Sequence, residues 1–115
     1  MPKERNKADD YREKAYAGDT KAMNNLGVCY ERGTGVKVSL ELAFEWYMKA
    51  AELDDVYGCF NVGDAQAQFA TGWFLMTGTG VPKDERKGLK WIHKATFQGY
   101  QPAIDYCKEH NLKWY

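Results

Sequence analysis

The sequence predicts an all-α fold built from stacked pairs of helices, and three observations lead to this prediction. Apolar residues recur at the three- and four-residue spacing of amphipathic helices, and no segment alternates like a half-buried strand. Residues that start and stop helices lie between these segments. The chain also repeats itself, because "YERGTGVKVSLELAFEWYMKAAE" at 30–52 is followed by "LMTGTGVPKDERKGLKWIHKATF" at 75–97.

The repeat keeps a single register. Adding 45 to the numbers of ten residues in the first copy gives an identical residue in the second. These residues are Gly18, Asp19, Ala22, Gly27, Gly33, Gly35, Val36, Trp46, Lys49 and Ala50. A third copy starts near 99, and 10–19 resembles the end of a copy. Repetition at this period is typical of units that bury each other's apolar faces by stacking.

Six helices are expected, at about 8–17, 20–32, 39–53, 65–77, 85–97 and 101–110. The first repeats the end of a unit. Asp19 can accept backbone N–H groups at the start of the second, and Gly33 can take the left-handed conformation that ends it. Ser39 is the expected cap of the third helix.

Asp64 and Asp84 are the expected caps of the fourth and fifth helices, and the sixth opens a third unit. Glycine inside a helix costs up to about 1 kcal/mol relative to alanine. Gly27 and Gly72 nevertheless lie within predicted helices, which indicates close approach of a neighbouring helix. Three aromatic residues at repeat positions are expected in the core, namely Tyr30, Trp46 and Trp91.

The repeated residues resemble the Sel1-like repeat family, which is related to tetratricopeptide repeats. Its unit reads approximately A-x-x-x-L-G-x-x-Y-x-x-G-x-G-V, followed by A-x-x-W-Y-x-K-A-A. The first unit matches this pattern, whereas the second departs from it at Thr71, Leu75, Gly88 and Thr96. The resemblance implies a right-handed α-solenoid and a non-catalytic role as an adaptor or scaffold in protein complexes.

The chain is interpreted as one domain, 1–115, with a half-repeat at 8–18, repeats at 19–54 and 63–98, an insert at about 53–62, and a terminal helical segment at 99–115. The insert is inferred because the offset of 45 exceeds the period of about 36 residues that the resemblance implies. Its aromatic residues, Tyr57 and Phe60, either plug the solenoid or contact a partner.

The resemblance also implies that the first helix of each pair lines a concave groove. Positions there that vary between copies fall into two columns, one of Asn24, Phe69 and Asp105 and one of Val28, Trp73 and Glu109. The repeat does not require an aromatic residue at Trp73, and an exposed tryptophan often dominates binding energy. We therefore expect these residues and the insert to contact a partner, unless Trp73 packs against the insert or a neighbouring helix.

Composition gives no reason to expect a nucleic acid, a membrane or a cofactor as a partner. The chain has 16 basic and 16 acidic residues, so no global field attracts polyanions. The charged start "MPKERNKADDYREK" is not a signal peptide. Three scattered cysteines, Cys29, Cys59 and Cys107, do not form a disulfide framework. We expect a cytoplasmic protein with reduced thiols.

Patterns typical of catalytic and metal sites are missing from the sequence. Leu42 stands where a Ser-x-x-Lys nucleophile at Ser39 would need lysine, which argues against the β-lactamase-like hydrolysis described for cysteine-rich relatives. His93 and His110 lack clustered metal ligands. Cys107, three residues before His110, is a weak candidate for a nucleophile.

The predicted function is that of a module that binds a peptide or a partner's surface in the groove. The alternative is a homodimer formed through the apolar residues near the carboxyl end, Leu112, Trp114 and Tyr115, unless these residues fold back over the last helix. An enzymatic function is the third hypothesis.

Overall fold

The structure, a computed structural model, describes residues 4–52 and 65–113. Within these two ranges it contains six α-helices and no strand. They are α1 (Lys7–Tyr16), α2 (Thr20–Arg32), α3 (Leu40–Glu52), α4 (Ala65–Thr77), α5 (Glu85–Phe97) and α6 (Gln101–Glu109). The prediction of six helices is confirmed, and each bound lies within one residue of its expected position.

Each helix packs chiefly against the helices before and after it in the chain. The molecule is elongated, with extents of 54 × 29 × 22 Å along its principal axes. Packing between sequence neighbours alone is the defining property of a solenoid, because each unit contacts only the next. The predicted all-α solenoid is confirmed.

The predicted helix caps are present wherever the structure describes them. The Asp19 carboxylate accepts the backbone N–H groups of Lys21 and Ala22 at 3.0 and 3.2 Å. Asp84 accepts that of Lys87 at 3.1 Å, and the Ser39 hydroxyl accepts that of Leu42 at 3.2 Å. Gly33 ends α2 in the left-handed conformation, with φ of 76°. Asp64 lies outside the described residues.

The second glycine of each Gly-Thr-Gly turn lets the turn rest on the preceding unit. A Cβ atom on Gly80 would come within 2.8 Å of the Leu40 backbone, where α3 begins. In the first unit a Cβ atom on Gly35 would come within 3.0 Å of the Asn6 side chain, whose amide donates to the Gly35 carbonyl oxygen at 3.1 Å. Asn6 is also the N-cap of α1, in a reciprocal pair of hydrogen bonds with Asp9. The repeated turn therefore sets the contact between successive units.

One cluster of buried side chains has members from α1 to α4, and a separate cluster joins α5 and α6. Trp46 belongs to the first cluster and is 7% exposed, as predicted, whereas Trp91 and Tyr30 are partly buried and pack against that cluster. The Lys49 ammonium lies 4.5 Å from the ring centroid of Trp46, and Lys94 lies 4.6 Å from that of Trp91. The repeated lysine is therefore explained as a cation that covers the face of the repeated tryptophan.

The second unit has a more polar interior than the first. Gln68 and Thr71 occupy the positions of Met23 and Leu26, and both are fully buried. The Gln98 amide donates to Gln68 Oε1 at 2.8 Å. Thr71 Oγ1 has no hydrogen-bond partner among the described residues. The departure from the repeat pattern at Thr71 thus leaves an unsatisfied hydroxyl in the core, which costs stability.

The chain folds back after α6. Asn111 has φ of 55°, and the backbone N–H of Leu112 donates to the Cys107 carbonyl oxygen at 2.7 Å. Leu112 then packs against the buried residues of α5 and α6. The His93 ring Nε2 lies 2.8 Å from the Lys113 carbonyl oxygen. Of the apolar residues near the carboxyl end, Leu112 thus belongs to the fold, and Trp114 and Tyr115 lie outside the described residues.

Candidate functional site

An open cleft of about 310 Å³ lies where α2, α4 and α6 come together. These are the first helices of successive units, so the cleft lies on the face that was expected to form the groove. Its lining is mostly apolar or aromatic: Val28, Tyr47, Phe69, Ala70, Trp73, Phe74, Tyr100 and Tyr106, with Glu31, Arg32 and Gln66 as the polar members. Its volume is at the lower end for ligand pockets, which suits one or two side chains.

The α4–α6 side of the cleft is an aromatic cluster centred on Phe69. The Phe69 ring lies 5.7 Å from that of Tyr106 in an edge-to-face arrangement and 6.0 Å from that of Tyr100. Burial raises the pKa of Tyr106 above its ordinary value. Such ring pairs hold each other in place, so this wall is preformed.

The opposite wall is built on α2, α3 and α4. Trp73 packs edge-to-face on Phe74 at 5.7 Å, and Phe74 in turn contacts Tyr47 at 5.7 Å in the same manner. Phe74 and Tyr47 are 1% and 2% exposed, whereas Trp73 is only partly buried. Trp73 therefore packs on the core through Phe74 and keeps part of its side chain accessible in the cleft.

A buried phenol connects this wall to a charged edge. The Tyr47 hydroxyl donates to Glu31 Oε1 at 2.7 Å. Burial, followed by this hydrogen bond, raises the pKa of Tyr47 well above its ordinary value. Arg32 lies beside Glu31 in the last turn of α2 and makes no ion pair with another described residue. The cleft thus has one carboxylate that is held in place and one guanidinium that has no ionic partner among the described residues.

Of the predicted contact residues that the structure describes, three lie together in the cleft and the others do not line it. Val28, Phe69 and Trp73 all line the cleft. Asn24 is 3% exposed, so a partner cannot reach it, and the expectation that it faces the groove is corrected. Asp105 is exposed but does not line the cleft, and it accepts a hydrogen bond from Gln101. Tyr57 and Phe60 lie outside the described residues.

Sequence reasoning expected α6 in the groove but chose the wrong residue of that helix, and it missed the charged edge formed by Glu31 and Arg32. The neighbour of Asp105, Tyr106, is the α6 residue that faces the cleft, together with Tyr100. The expectation from equivalent repeat positions failed there. A fixed offset makes Asp105 the equivalent of Phe69, whereas the residue of α6 that faces the cleft is the next one along the chain. An aromatic residue beside a predicted groove position was the signal that could have identified Tyr106.

The candidate nucleophiles are not in a state that favours reaction. Cys107 is buried, and desolvation raises the pKa of its thiol, whereas a nucleophilic cysteine needs a lowered one. The His110 ring stacks on Tyr106 at 4.1 Å, with Nδ1 2.9 Å from the Tyr106 carbonyl oxygen. The described part of the chain holds no cluster of three or more residues that could bind a metal ion.

Among residues 4–52 and 65–113, none of the helices combines the length and the apolar character needed to cross a bilayer.

Comparison with solved structures supports the architecture. A Sel1 repeat protein from Oxalobacter formigenes aligns over 93% of this chain and 42% of its own, at 29% identity and a TM-score of 0.73. A protective antigen of uropathogenic Escherichia coli strains with an SLR fold aligns over 86% of this chain and 27% of its own, at 26% identity and a TM-score of 0.38. Only the first similarity is close enough to support an argument about the fold.

Comparison of sequences gives the family. Chitin synthase regulatory factor 3 of Schizosaccharomyces pombe is 26% identical over 132 aligned positions, which cover 89% of this chain. The chain spans 14% of the length of that relative. The Sel1 repeat matches residues 20–55 and again 65–100, which together form more than half of the sequence. The chain therefore belongs to the Sel1 repeat family.

Proposed function

We propose that this chain is a non-catalytic protein-interaction module that holds an apolar side chain of a partner peptide against Trp73 and Phe69. Sel1 repeats generally form protein–protein interaction modules, which supports the class of function. The observation that carries the proposal is the cleft itself, since aromatic side chains of α3, α4 and α6 and the apolar Val28 of α2 line one open site. A partly buried tryptophan supported by Phe74 is the kind of anchor that dominates binding energy.

The charged residues at the edge of the cleft, Glu31 and Arg32, indicate which charge a bound peptide would carry. Glu31 is engaged by the Tyr47 hydroxyl, so Arg32 is the side chain left to pair with a charge on the ligand. A carboxylate beside the apolar anchor would form a charge-assisted hydrogen bond with this guanidinium. The proposed ligand is therefore a segment with an aromatic or large aliphatic residue next to Asp, Glu or a terminal carboxylate.

The name of the fungal relative, a regulatory factor, supports a role in assembling or controlling other proteins rather than in chemistry. Because this chain spans a small part of that relative, the whole relative's function is not transferred. What the comparison supports is the use of Sel1 repeats as a binding surface.

The test is a peptide-display library panned on the wild-type protein. Enriched peptides are expected to share an aromatic or large aliphatic residue next to Asp, Glu or a terminal carboxylate. Trp73→Ala should weaken them about 30-fold, since loss of about 2 kcal/mol corresponds to that factor. Arg32→Gln should weaken only peptides with the acidic residue. Tyr16→Ala is the matched control, because Tyr16 is an aromatic residue 74% exposed outside the cleft.

Two results would contradict the proposal. Peptides that bind Trp73→Ala as tightly as the wild type would place the site elsewhere. A Trp73→Ala protein whose stability falls by several kcal/mol would show that Trp73 belongs to the core. Circular dichroism and urea unfolding of each variant separate this second result from a loss of binding.

A further inference from the structure

The outer faces of α3 and α5 carry opposite charges at equivalent positions of the two repeats. Glu41 and Glu45 of the first repeat correspond to Arg86 and Lys90 of the second, at the offset of 45. All four side chains are exposed. Because the two members of each pair lie four residues apart on one helix, each helix presents them as a single stripe. The repeat is therefore preserved in position and inverted in charge.

The charge inversion affects only side chains that make no ion pair and no cation–π contact among the described residues. Lys49 and Lys94, which the two helices share, lie over tryptophan rings. Glu85 is paired with Lys83 at 3.0 Å. Among the described residues, none of the four stripe residues forms an ion pair. Setting aside the shared lysines and the paired glutamate, all remaining charges of α3 are acidic and all those of α5 are basic.

We infer that this face associates weakly with the same face of a second copy of the chain. As second helices of successive units, α3 and α5 run in the same direction on one side of the solenoid. A two-fold axis parallel to them, outside this face and opposite the midpoint between them, would place α3 of each copy against α5 of the other. Glu41 would then face Arg86 of the second copy, and Glu45 would face Lys90, with each contact made twice.

A second copy fits this surface better than a polyanion does. A nucleic acid or an acidic protein attracted by Arg86 and Lys90 would be repelled by Glu41 and Glu45 on the same face. The net charge of zero gives such a ligand no attraction from a distance. Only an occupant with an acidic and a basic stripe side by side complements the whole face, and the chain itself has that pattern.

The dimer is expected to be weak and sensitive to salt. Each of the two helices has 13 residues and is therefore about 20 Å long, so the contact area is at the low end for specific interfaces. Exposed ion pairs contribute little individually and are screened by salt. Raising NaCl from about 50 to 500 mM should weaken the dimer at least about tenfold.

The decisive experiment uses two charge-reversed proteins, one acidic (Arg86→Glu with Lys90→Glu) and one basic (Glu41→Lys with Glu45→Lys). Glu, Lys and Arg are similarly good helix formers, so both proteins should fold. In sedimentation velocity at about 50 mM NaCl, the wild type should dimerise with rising concentration and each reversed protein should associate at least about tenfold more weakly. An equimolar mixture of the two should recover a dimer, because each acidic stripe again faces a basic one.

A matched control carries the same change in net charge elsewhere. Lys7→Glu with Lys21→Glu alters two exposed lysines on α1 and α2 and should dimerise like the wild type. Trp73→Ala should also dimerise like the wild type, which keeps this test independent of the proposed cleft. A wild type that stays monomeric up to about 1 mM would overturn the inference. An equimolar mixture of the two reversed proteins that stays monomeric would overturn it as well. So would a monomeric wild type that is retained on immobilised heparin, if Arg86→Glu with Lys90→Glu abolishes that retention.

Discussion

The carbonyl oxygen of Gly88 lies so close to Gly72 that a Cβ atom on Gly72 would come within 2.6 Å of it. The relation is reciprocal, because a Cβ atom on Gly88 would come within 2.8 Å of the Gly72 carbonyl oxygen. The backbones of α4 and α5 are thus in contact. In the first unit the equivalent glycine, Gly27, faces the side-chain ring of Tyr47 at 2.9 Å instead.

Gly72→Ala is therefore expected to destabilise the protein more than Gly27→Ala. A methyl group at residue 72 meets backbone atoms, so the two helices must separate, at a cost of about 2–3 kcal/mol. At residue 27 it meets the edge of a ring, which can shift, and the gain in helix propensity offsets part of the cost. Urea unfolding of the two variants measures the difference. Equal losses of unfolding free energy would show that the α4–α5 contact is not the tighter one.

Thr71→Val should stabilise the protein by about 1 kcal/mol. Valine has the shape of threonine and removes a buried hydroxyl that has no hydrogen-bond partner in the described structure. Thr96→Val is the matched control, since the Thr96 hydroxyl donates to the His93 carbonyl oxygen at 2.8 Å. The control should lose stability or stay unchanged. Thermal unfolding of both variants checks the sign, and a stabilised Thr96→Val together with an unchanged Thr71→Val would refute the explanation.

Tyr47 makes stability depend on alkaline pH. Its pKa is raised in the folded protein, so its contribution is complete below the ordinary tyrosine pKa of about 10 and is lost as pH rises toward the folded value. Tyr47→Phe should cost about 1 kcal/mol at neutral pH, because the hydrogen bond to Glu31 is lost. Above about pH 10 the difference in unfolding free energy between wild type and variant should fall by about 1.4 kcal/mol per pH unit. Unfolding free energies at a series of pH values test this, and a constant gap would be inconsistent with it.

Cys29 and Cys107 should react slowly with a disulfide reagent in the folded protein. Both are buried, and desolvation raises the pKa of each thiol, so little thiolate is present and access is restricted. In a Cys59→Ser protein these two thiols should react at pH 8 at least about 100-fold more slowly than after unfolding in guanidinium. Absorbance on reaction with Ellman's reagent gives both rates. A rapid reaction of one thiol in the folded protein would identify it as accessible.

The helices were predictable because their signals are local. Asp19, Ser39, Asp84 and Gly33 act within one turn of their own position, so the sequence alone locates the starts and ends of the helices. The close approaches at Gly27 and Gly72 were predictable too, since a glycine that costs helix stability twice at the same repeat position needs a packing reason.

The cleft was only partly predictable because it depends on contacts between units. Trp73 and Phe69 departed from the repeat and were identified on that ground. Tyr47 conforms to the repeat, so the pattern predicts a buried ring and gives no sign that its hydroxyl donates a hydrogen bond to Glu31 at the cleft. Asn24 is buried, although its equivalent Phe69 lines the cleft, and a column of equivalent positions does not encode this difference in packing between units.

The position of the cleft across α2, α4 and α6 affects how the chain unfolds. In a stack joined chiefly through adjacent elements, the two ends can open at different denaturant concentrations. A peptide bound in the cleft would contact three successive units at once and so stabilise the interfaces between them. Saturating amounts of such a ligand would then merge separate opening steps into one sharper transition, in addition to raising its midpoint by mass action.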